Sequence, residues 1–311
     1  MKRRGSRRPA ASGIRLCAAA LLATGLTLAG DRAAGGAILQ NQEIVLWPDG
    51  MPAPVVPAAP AEETAKNANG FSLRTNISRP RLVVFRPPAG VKASGAGVVV
   101  VPGGGFGRLA DEHEGSEACT WLARHGAVGF LLLHRTPTTG HAEPNAGPVQ
   151  DLQKAVLEVR RRAPEFGLDA GKIGVLGFSA GGQVTLVAAT NRPGFPGAPE
   201  GNGHRPDFLL LAYAWRIYDP ATRGLRADIR LDAGLPPTFI TQMTDDAASL
   251  PQGSTLLYLE LVTRKVPAEL HIYEKGGHGF GMRSRPGATG PTDWVKRAED
   301  WLRLRGLISG P

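Results

Sequence analysis

An α/β architecture, with a mostly parallel central sheet covered by helices on both faces, is the fold class this sequence predicts. Three observations predict it. Short apolar runs alternate with longer amphipathic stretches, the pattern of repeated strand–helix units. Several of the runs are continuously apolar rather than alternating, as strands buried on both faces require. One run, at 173–176, leads through a glycine-flanked turn directly into a helical segment.

Residues 1–36 read as a leader rather than as part of the fold. Lys2, Arg3, Arg4, Arg7 and Arg8 form a basic start, and an Ala- and Leu-rich apolar run follows at 14–29. That run has the length of a signal-peptide core, whereas a bilayer span needs roughly 20 apolar residues. Ser6-Arg7-Arg8 permits a twin-arginine signal, although Pro9, Ala10 and Ala11 stand where an apolar residue is usual. Export to the periplasm or the exterior, with no stable membrane anchor, is the expectation. Six of the 36 basic residues lie in the first 30 positions, so the remainder carries 30 basic and 27 acidic residues, a net +3 against +9 for the whole chain. The high pI is largely a property of the leader, which argues against a nucleic-acid partner.

Residues 37–80 read as an extended N-terminal arm. They are rich in Pro, Asn and Ala, with Trp47-Pro48-Asp49-Gly50 and Pro52-Ala53-Pro54, and little regular structure is expected there. Asn76-Ile77-Ser78 is a glycosylation sequon, which matters only in a host that glycosylates. Residues 81–311 form one catalytic α/β domain with no internal repeat. Strands are expected at 82–85, 98–101, 128–133, 173–176, 208–212, 238–242 and 270–273. Helices fall at about 115–125, 148–164, 180–190, 253–265 and 292–305. In the clearest of these, Val149, Leu152, Val156, Leu157 and Val159 make an apolar stripe, with Lys154, Glu158, Arg160 and Arg161 toward water. The Pro- and Gly-rich stretches 191–206 and 214–236 should lie over the C-terminal edge of the sheet, where such folds place ligands. Cys17 leaves with the leader, so Cys119 stands without a disulfide partner and reads as a small buried residue.

Four segments carry chemistry. Gly177-Phe178-Ser179-Ala180-Gly181 is a G-x-S-x-G turn between a buried strand and a helix, the context of a nucleophile elbow in the α/β-hydrolase fold. The tight turn projects the Ser179 hydroxyl, and the helix N-terminus behind it favours developing negative charge. Upstream, the strand 98–101 ends in Pro102-Gly103-Gly104-Gly105-Phe106. Hydrolases of this fold use a glycine loop here to aim N–H groups at an oxyanion, so Gly104 or Gly105 with Ala180 are the candidate donors. A phosphate cradle is the weaker reading, since no Lys-Ser/Thr follows. Downstream, His278 in Tyr273-Glu274-Lys275-Gly276-Gly277-His278-Gly279-Phe280 is the candidate general base. His271 lies inside a strand, and His113, His125, His134, His141 and His204 read as solvated or structural. The acid should follow the strand 238–242, at Asp245 or Asp246, with Asp246 preferred; Asp219 and Asp228 are outside candidates. Asp111-Glu112-His113-Glu114 looks like a metal cluster but reads as an acidic helix start near Gly115. No zinc-type ligand spacing occurs, and neither metal nor cofactor is expected.

At these segments the chain resembles the α/β-hydrolase family of bacterial secreted esterases called acetyl-xylan-esterase-like or endo-1,4-β-xylanase B-like, near the dienelactone-hydrolase and prolyl-oligopeptidase branches. Leu46-Trp47-Pro48, Asn76-Ile77-Ser78-Arg79-Pro80, Glu112-His113-Glu114-Gly115 and Thr244-Asp245-Asp246 share the resemblance, which runs from about residue 40 to 305. It implies a Ser-His-Asp esterase acting on short acyl esters, often acetyl groups on carbohydrates, and it favours Asp246 as the acid. Gln183 stands where relatives commonly carry His. Leu133-His134-Arg135-Thr136 and Ala247-Ala248 also depart from the family pattern, which bears on substrate more than on chemistry.

The expected function is therefore hydrolysis of small-molecule or carbohydrate esters through an acyl-enzyme, with Trp215 and Tyr218 either lining the pocket or simply packed. A general carboxylesterase and a prolyl-oligopeptidase-like peptidase are the rival enzymes, although this chain has no room for the gating propeller that such a peptidase usually needs. A scaffold on the same fold would lack a triad member, and a carbohydrate-binding module would lack the elbow.

Overall fold

The computed structural model of the protein describes residues 42–68, 70–190, 193–231, 234–283 and 293–309. The leader expected at 1–36 and the first residues of the arm lie outside the described residues. In chain order the strands are β1 (Gln42–Val45), β2 (Glu63–Lys66), β3 (Ser72–Thr75), β4 (Arg81–Phe85), β5 (Gly97–Val101), β6 (Val128–Leu133), β7 (Ile173–Phe178), β8 (Phe208–Ala212), β9 (Tyr218–Asp219), β10 (Gly224–Leu225), β11 (Thr238–Met243) and β12 (Ala268–Tyr273). The helices are α1 (Glu117–Arg124), α2 (Ala146–Arg161), α3 (Ala163–Phe166), α4 (Ala180–Thr190), α5 (Pro251–Thr263) and α6 (Trp294–Leu304).

Eight strands form one sheet in the order β1-β4-β6-β5-β7-β8-β11-β12. The pairs β1–β4 and β4–β6 are antiparallel, and the pairs from β6 through β12 are parallel. The all-apolar runs sit at the centre: every residue of β5, β6, β7, β8 and β11 is buried. Burial on both faces is why those runs lack alternation. One face packs Val149, Leu152 and Val156 of α2 and Val184 and Val187 of α4. The other packs Ala118, Cys119 and Leu122 of α1 with Ala298, Trp301 and Leu302 of α6. Cys119 is fully buried, and desolvation pushes its thiol well above the ordinary range.

Two local differences from the sequence reading have plain causes. The helix expected at 148–164 ends at Arg161, and Ala163–Phe166 forms a separate turn with Pro164 in its first positions. Pro164 has no N–H to give to a carbonyl of the preceding turn, so α2 cannot run through it. The arm, expected to be largely irregular, supplies β1 and the β2–β3 hairpin. β1 pairs with β4 from Gln42 opposite Val84 to Val45 opposite Arg81, covering an edge of the sheet.

The arm is fastened by a buried ion pair. Arg135 and Asp151 have fully buried side chains, 2.6 Å apart at their closest atoms. Asp151 also accepts the Trp47 indole N–H at 2.7 Å. Arg135 donates to the carbonyls of Pro52 at 2.7 Å and Pro54 at 2.6 Å. The segment 133–136 thus holds an arm-binding arginine.

Candidate active site

Ser179 sits between the end of β7 and the start of α4, with a positive φ of 49°. Few residues other than glycine adopt such a φ, and at a functional site the strain is part of pre-organisation. The turn is pinned by its main chain. The Ser179 N–H donates to Ala212 at 3.0 Å, and its carbonyl accepts from Trp215 at 2.8 Å and Gln183 at 3.2 Å. Gly181 must lack a side chain, because a Cβ there would lie 2.1 Å from the Val101 carbonyl oxygen. The elbow therefore packs directly against the exit of β5.

The structure brings Ser179, His278 and Asp246 together. Ser179 Oγ lies 2.7 Å from His278 Nε2, and His278 Nδ1 lies 2.8 Å from Asp246 Oδ2. The Asp246 side chain is fully buried, while His278 keeps 26 % of its side-chain surface. Asp246 Oδ1 accepts the N–H groups of Ala248 at 2.9 Å and Ser249 at 2.8 Å. Those bonds aim the other carboxylate oxygen at the imidazole and fix Nδ1 as its protonated nitrogen, leaving Nε2 to accept from the serine. Asp245 has a different place. It accepts from Gly277 at 2.8 Å and Gly276 at 3.1 Å, tying down the glycine loop just before His278. Its carboxyl is held below the usual range, chiefly by the Gly277 N–H.

The glycine loop after β5 lies against Ser179: a Cβ on Gly103 would fall 2.6 Å from Ser179 Cβ. The Gly103 N–H is taken by the Glu114 carboxylate at 2.8 Å. The Gly103 N–H is therefore already engaged. Gly104 (φ 134°) and Gly105 (φ 63°) follow in conformations that L side chains rarely adopt. Among the described residues no hydrogen bond occupies the N–H of Gly104, Gly105 or Ala180.

Two cavities open beside these groups. One, of about 390 Å³, is lined by Gly105, Phe106, Gln183, Trp215 and Arg216 among others. The second, of about 860 Å³, is lined by Trp215, Arg216, Tyr218, Asp219, Asp228, Ala247 and Ala248 among others. Trp215 and Tyr218 thus face space rather than being wholly packed. Both come from the 214–236 stretch, together with Asp219, which bonds Ala221 and Thr222, and Asp228, which bonds Arg226 and Asn145, while His278 bonds Asp246. Gln183 Nε2 donates to the carbonyls of Trp215 at 3.2 Å and Arg216 at 3.3 Å, so it braces this wall of the cavities.

The acidic run 111–114 opens a helical segment, as expected, with Asp111 just before its first turn and Glu112 and Glu114 within it. A single π-type turn at Glu112–Ser116 precedes α1, and its acids are spent on partners. Asp111 pairs with Arg74 at 2.7 Å and Glu112 with Arg283 at 2.8 Å, while Glu114 is buried. Sequence reasoning missed Glu114 and Tyr213. A Glu in the first turn of a helix carries no local sign of burial, and Tyr213 simply follows an apolar strand.

Comparison with known proteins matches the BD-FAE family model to residues 84–195, which hold the glycine loop and the elbow. The acetylxylan esterase of Xylanibacter ruminicola is 27 % identical over 242 residues, covering 70 % of this chain and 47 % of that protein. The endo-1,4-beta-xylanase B of Butyrivibrio fibrisolvens is 26 % identical over 235 residues, covering 68 % of this chain and 36 % of that one. The chain therefore spans less than half the length of these relatives. Among solved structures, the acetyl ester-xyloside bifunctional hydrolase from Caldicellulosiruptor lactoaceticus aligns with a TM-score of 0.65 at 26 % identity, covering 88 % of this chain and all (100 %) of that one. Thermogutta terrifontis esterase 2 aligns with a TM-score of 0.65 at 21 % identity over 82 % of this chain and 98 % of that one, a likeness of fold alone. The fold is that of the α/β-hydrolases, and the chain is similar to an acetylxylan esterase and to esterases of that fold.

Proposed function

We propose that the protein is a serine esterase that removes short acyl groups, acetyl foremost, from carbohydrate esters such as acetylated xylan. The observation that carries this reading is the continuous relay from Ser179 Oγ through His278 to Asp246, with bonds of 2.7 and 2.8 Å. His278 Nε2 takes the hydroxyl proton as Ser179 Oγ attacks the ester carbonyl. Asp246 stabilises the resulting imidazolium. The tetrahedral oxyanion is held by the N–H groups of Ala180 and of Gly104 or Gly105. His278 then returns the proton to the leaving alkoxide, the acyl group stays on Ser179, and water repeats the sequence to release the acid.

The substrate class draws support from the cavities. An acetyl group needs far less room than the larger cavity of about 860 Å³, which suits a bulky alcohol portion. Its wall mixes the guanidinium groups of Arg216 and Arg226 with the carboxylates of Asp219 and Asp228. Hydroxyl-rich leaving groups can both donate to and accept from such a wall. Similarity to an acetylxylan esterase points the same way.

Hydrolysis of p-nitrophenyl acetate, butyrate and octanoate by wild type and Ser179→Ala tests the chemistry. Wild type should favour acetate, and Ser179→Ala should lose at least about 10³-fold in kcat. Equal rates for the two proteins would sink the proposal. Acetate release from acetylated xylan tests the carbohydrate portion; activity confined to small esters would leave a general carboxylesterase. The basic start and the apolar run at 14–29 further lead us to propose export. N-terminal sequencing of protein secreted by an expression host should find residues 1–36 removed, and an intact Met1 in the cytosol would refute it.

A further inference from the structure

A buried carboxylate outside the relay joins the two glycine loops of the site. Glu114 is only 3 % exposed. Its Oε2 accepts the Gly103 N–H at 2.8 Å, and its Oε1 accepts the Tyr213 hydroxyl at 2.9 Å. The Tyr213 oxygen in turn accepts the Gly281 N–H at 2.8 Å, three residues beyond His278. Gly103 adjoins Ser179, so one unbroken chain of hydrogen bonds links the nucleophile's side of the site to the loop that carries the base.

The tyrosine also touches that base. Tyr213 is fully buried at a positive φ of 40°, a conformation that a bulky residue holds only under tertiary constraint. Its ring meets the His278 ring edge-on with centroids 5.1 Å apart, and the Phe280 ring at 4.3 Å. The Trp294 indole N–H donates to the Gly281 carbonyl at 3.1 Å and secures the far end.

Resting on the esterase reading of this site, we propose that Glu114 and Tyr213 are positioning residues that set the separation of the Gly103–Gly105 loop from His278. The residue types fit that role. Glu114 faces two donors, and only a carboxylate accepts at both oxygens. A glutamine could accept from Gly103 but would turn its NH₂ toward Tyr213. The Tyr213 oxygen already receives the Gly281 N–H, and its own proton would lose its acceptor. The charge of Glu114 cannot itself favour the reaction. A carboxylate behind an oxyanion loop repels the negative charge that forms there. What it supplies is the hydrogen-bond geometry between two loops that are far apart in sequence.

Steady-state kinetics on p-nitrophenyl acetate test the proposal in wild type, Glu114→Gln, Tyr213→Phe and the double variant. Rates are normalised to active sites titrated with a fluorophosphonate. Loosening the relay by a fraction of an ångström to an ångström should cut kcat by about 10- to 100-fold while KM moves less than about threefold. The double variant should fall no further than the worse single one, because both break the same chain. Variants with wild-type kcat per titrated site would overturn the proposal, since any lost rate would then reflect lost folded protein. Losses that multiply in the double variant would also overturn it. An inactive wild type would instead refute the esterase reading, so the two failures are distinguishable.

Discussion

Asp151→Ala should destabilise the protein strongly while sparing its chemistry. Asp151 accepts four hydrogen bonds: from Arg135 Nε at 3.0 Å, Arg135 Nη2 at 2.6 Å, the Arg135 backbone N–H at 2.8 Å and the Trp47 indole at 2.7 Å. Removing the carboxylate leaves a fully buried guanidinium with only the Pro52 and Pro54 carbonyls. Breaking a buried pair from one side costs about 3–5 kcal/mol, because the other charge stays desolvated. The orphaned indole N–H adds about 1 kcal/mol. At roughly 2–4 °C per kcal/mol for a domain of this size, Tm should fall by about 10 °C or more. Thermal melts followed by circular dichroism give the number, and kcat at low temperature should stay within about twofold of wild type. The double variant Arg135→Met, Asp151→Leu should recover most of the loss, since apolar replacement of a buried pair is often neutral or better. A Tm drop below about 3 °C for Asp151→Ala would refute the reasoning.

Two further predictions concern the neighbouring aspartates. Asp246→Asn should lower kcat by about 10³–10⁴-fold, because the amide cannot favour the productive tautomer or stabilise an imidazolium. Asp245→Asn should lower it less than about tenfold, since Asp245 bonds only the loop backbone; equal losses in the two variants would reverse their assignment. The Asp245 carboxyl also predicts a pH effect. The Gly277 N–H, with Gly276 adding, holds its folded pKa below the ordinary 3.8. Its stabilisation is therefore present above that ordinary value and is lost as pH falls through the folded pKa. The Tm gap between wild type and Asp245→Asn should be constant from about pH 5 to 7 and shrink below about pH 4. A gap that widens on acidification would contradict the loop-capping role.

What could be read from the chain was local in origin. The apolar runs of β5, β6, β7, β8 and β11 announce double-sided burial, and the elbow announces itself because strand, turn and helix are contiguous. Ser179, Asp246 and His278 were legible as strand-end residues in a recognisable order. The hidden features depend on pairings between distant segments. β1 becomes a strand because β4 offers it an edge, which its short sequence cannot reveal. Nothing in its local sequence marks Arg135 for burial, which comes from Asp151 and two proline carbonyls supplied by distant segments. Glu114 and Tyr213 are 99 positions apart and meet only once the sheet has formed.

The wall formed by Trp215, Arg216 and Tyr218 is hung on main-chain atoms. Ser179 holds the Trp215 N–H, and Gln183 holds the carbonyls of Trp215 and Arg216. Side chains along this wall are therefore exchangeable without loosening its attachment. On the proposed reading, selectivity and chemistry become separate inheritances, so a library confined to positions 215, 216 and 218 should change which alcohol portions are accepted while Ser179, His278 and Asp246 stay in place.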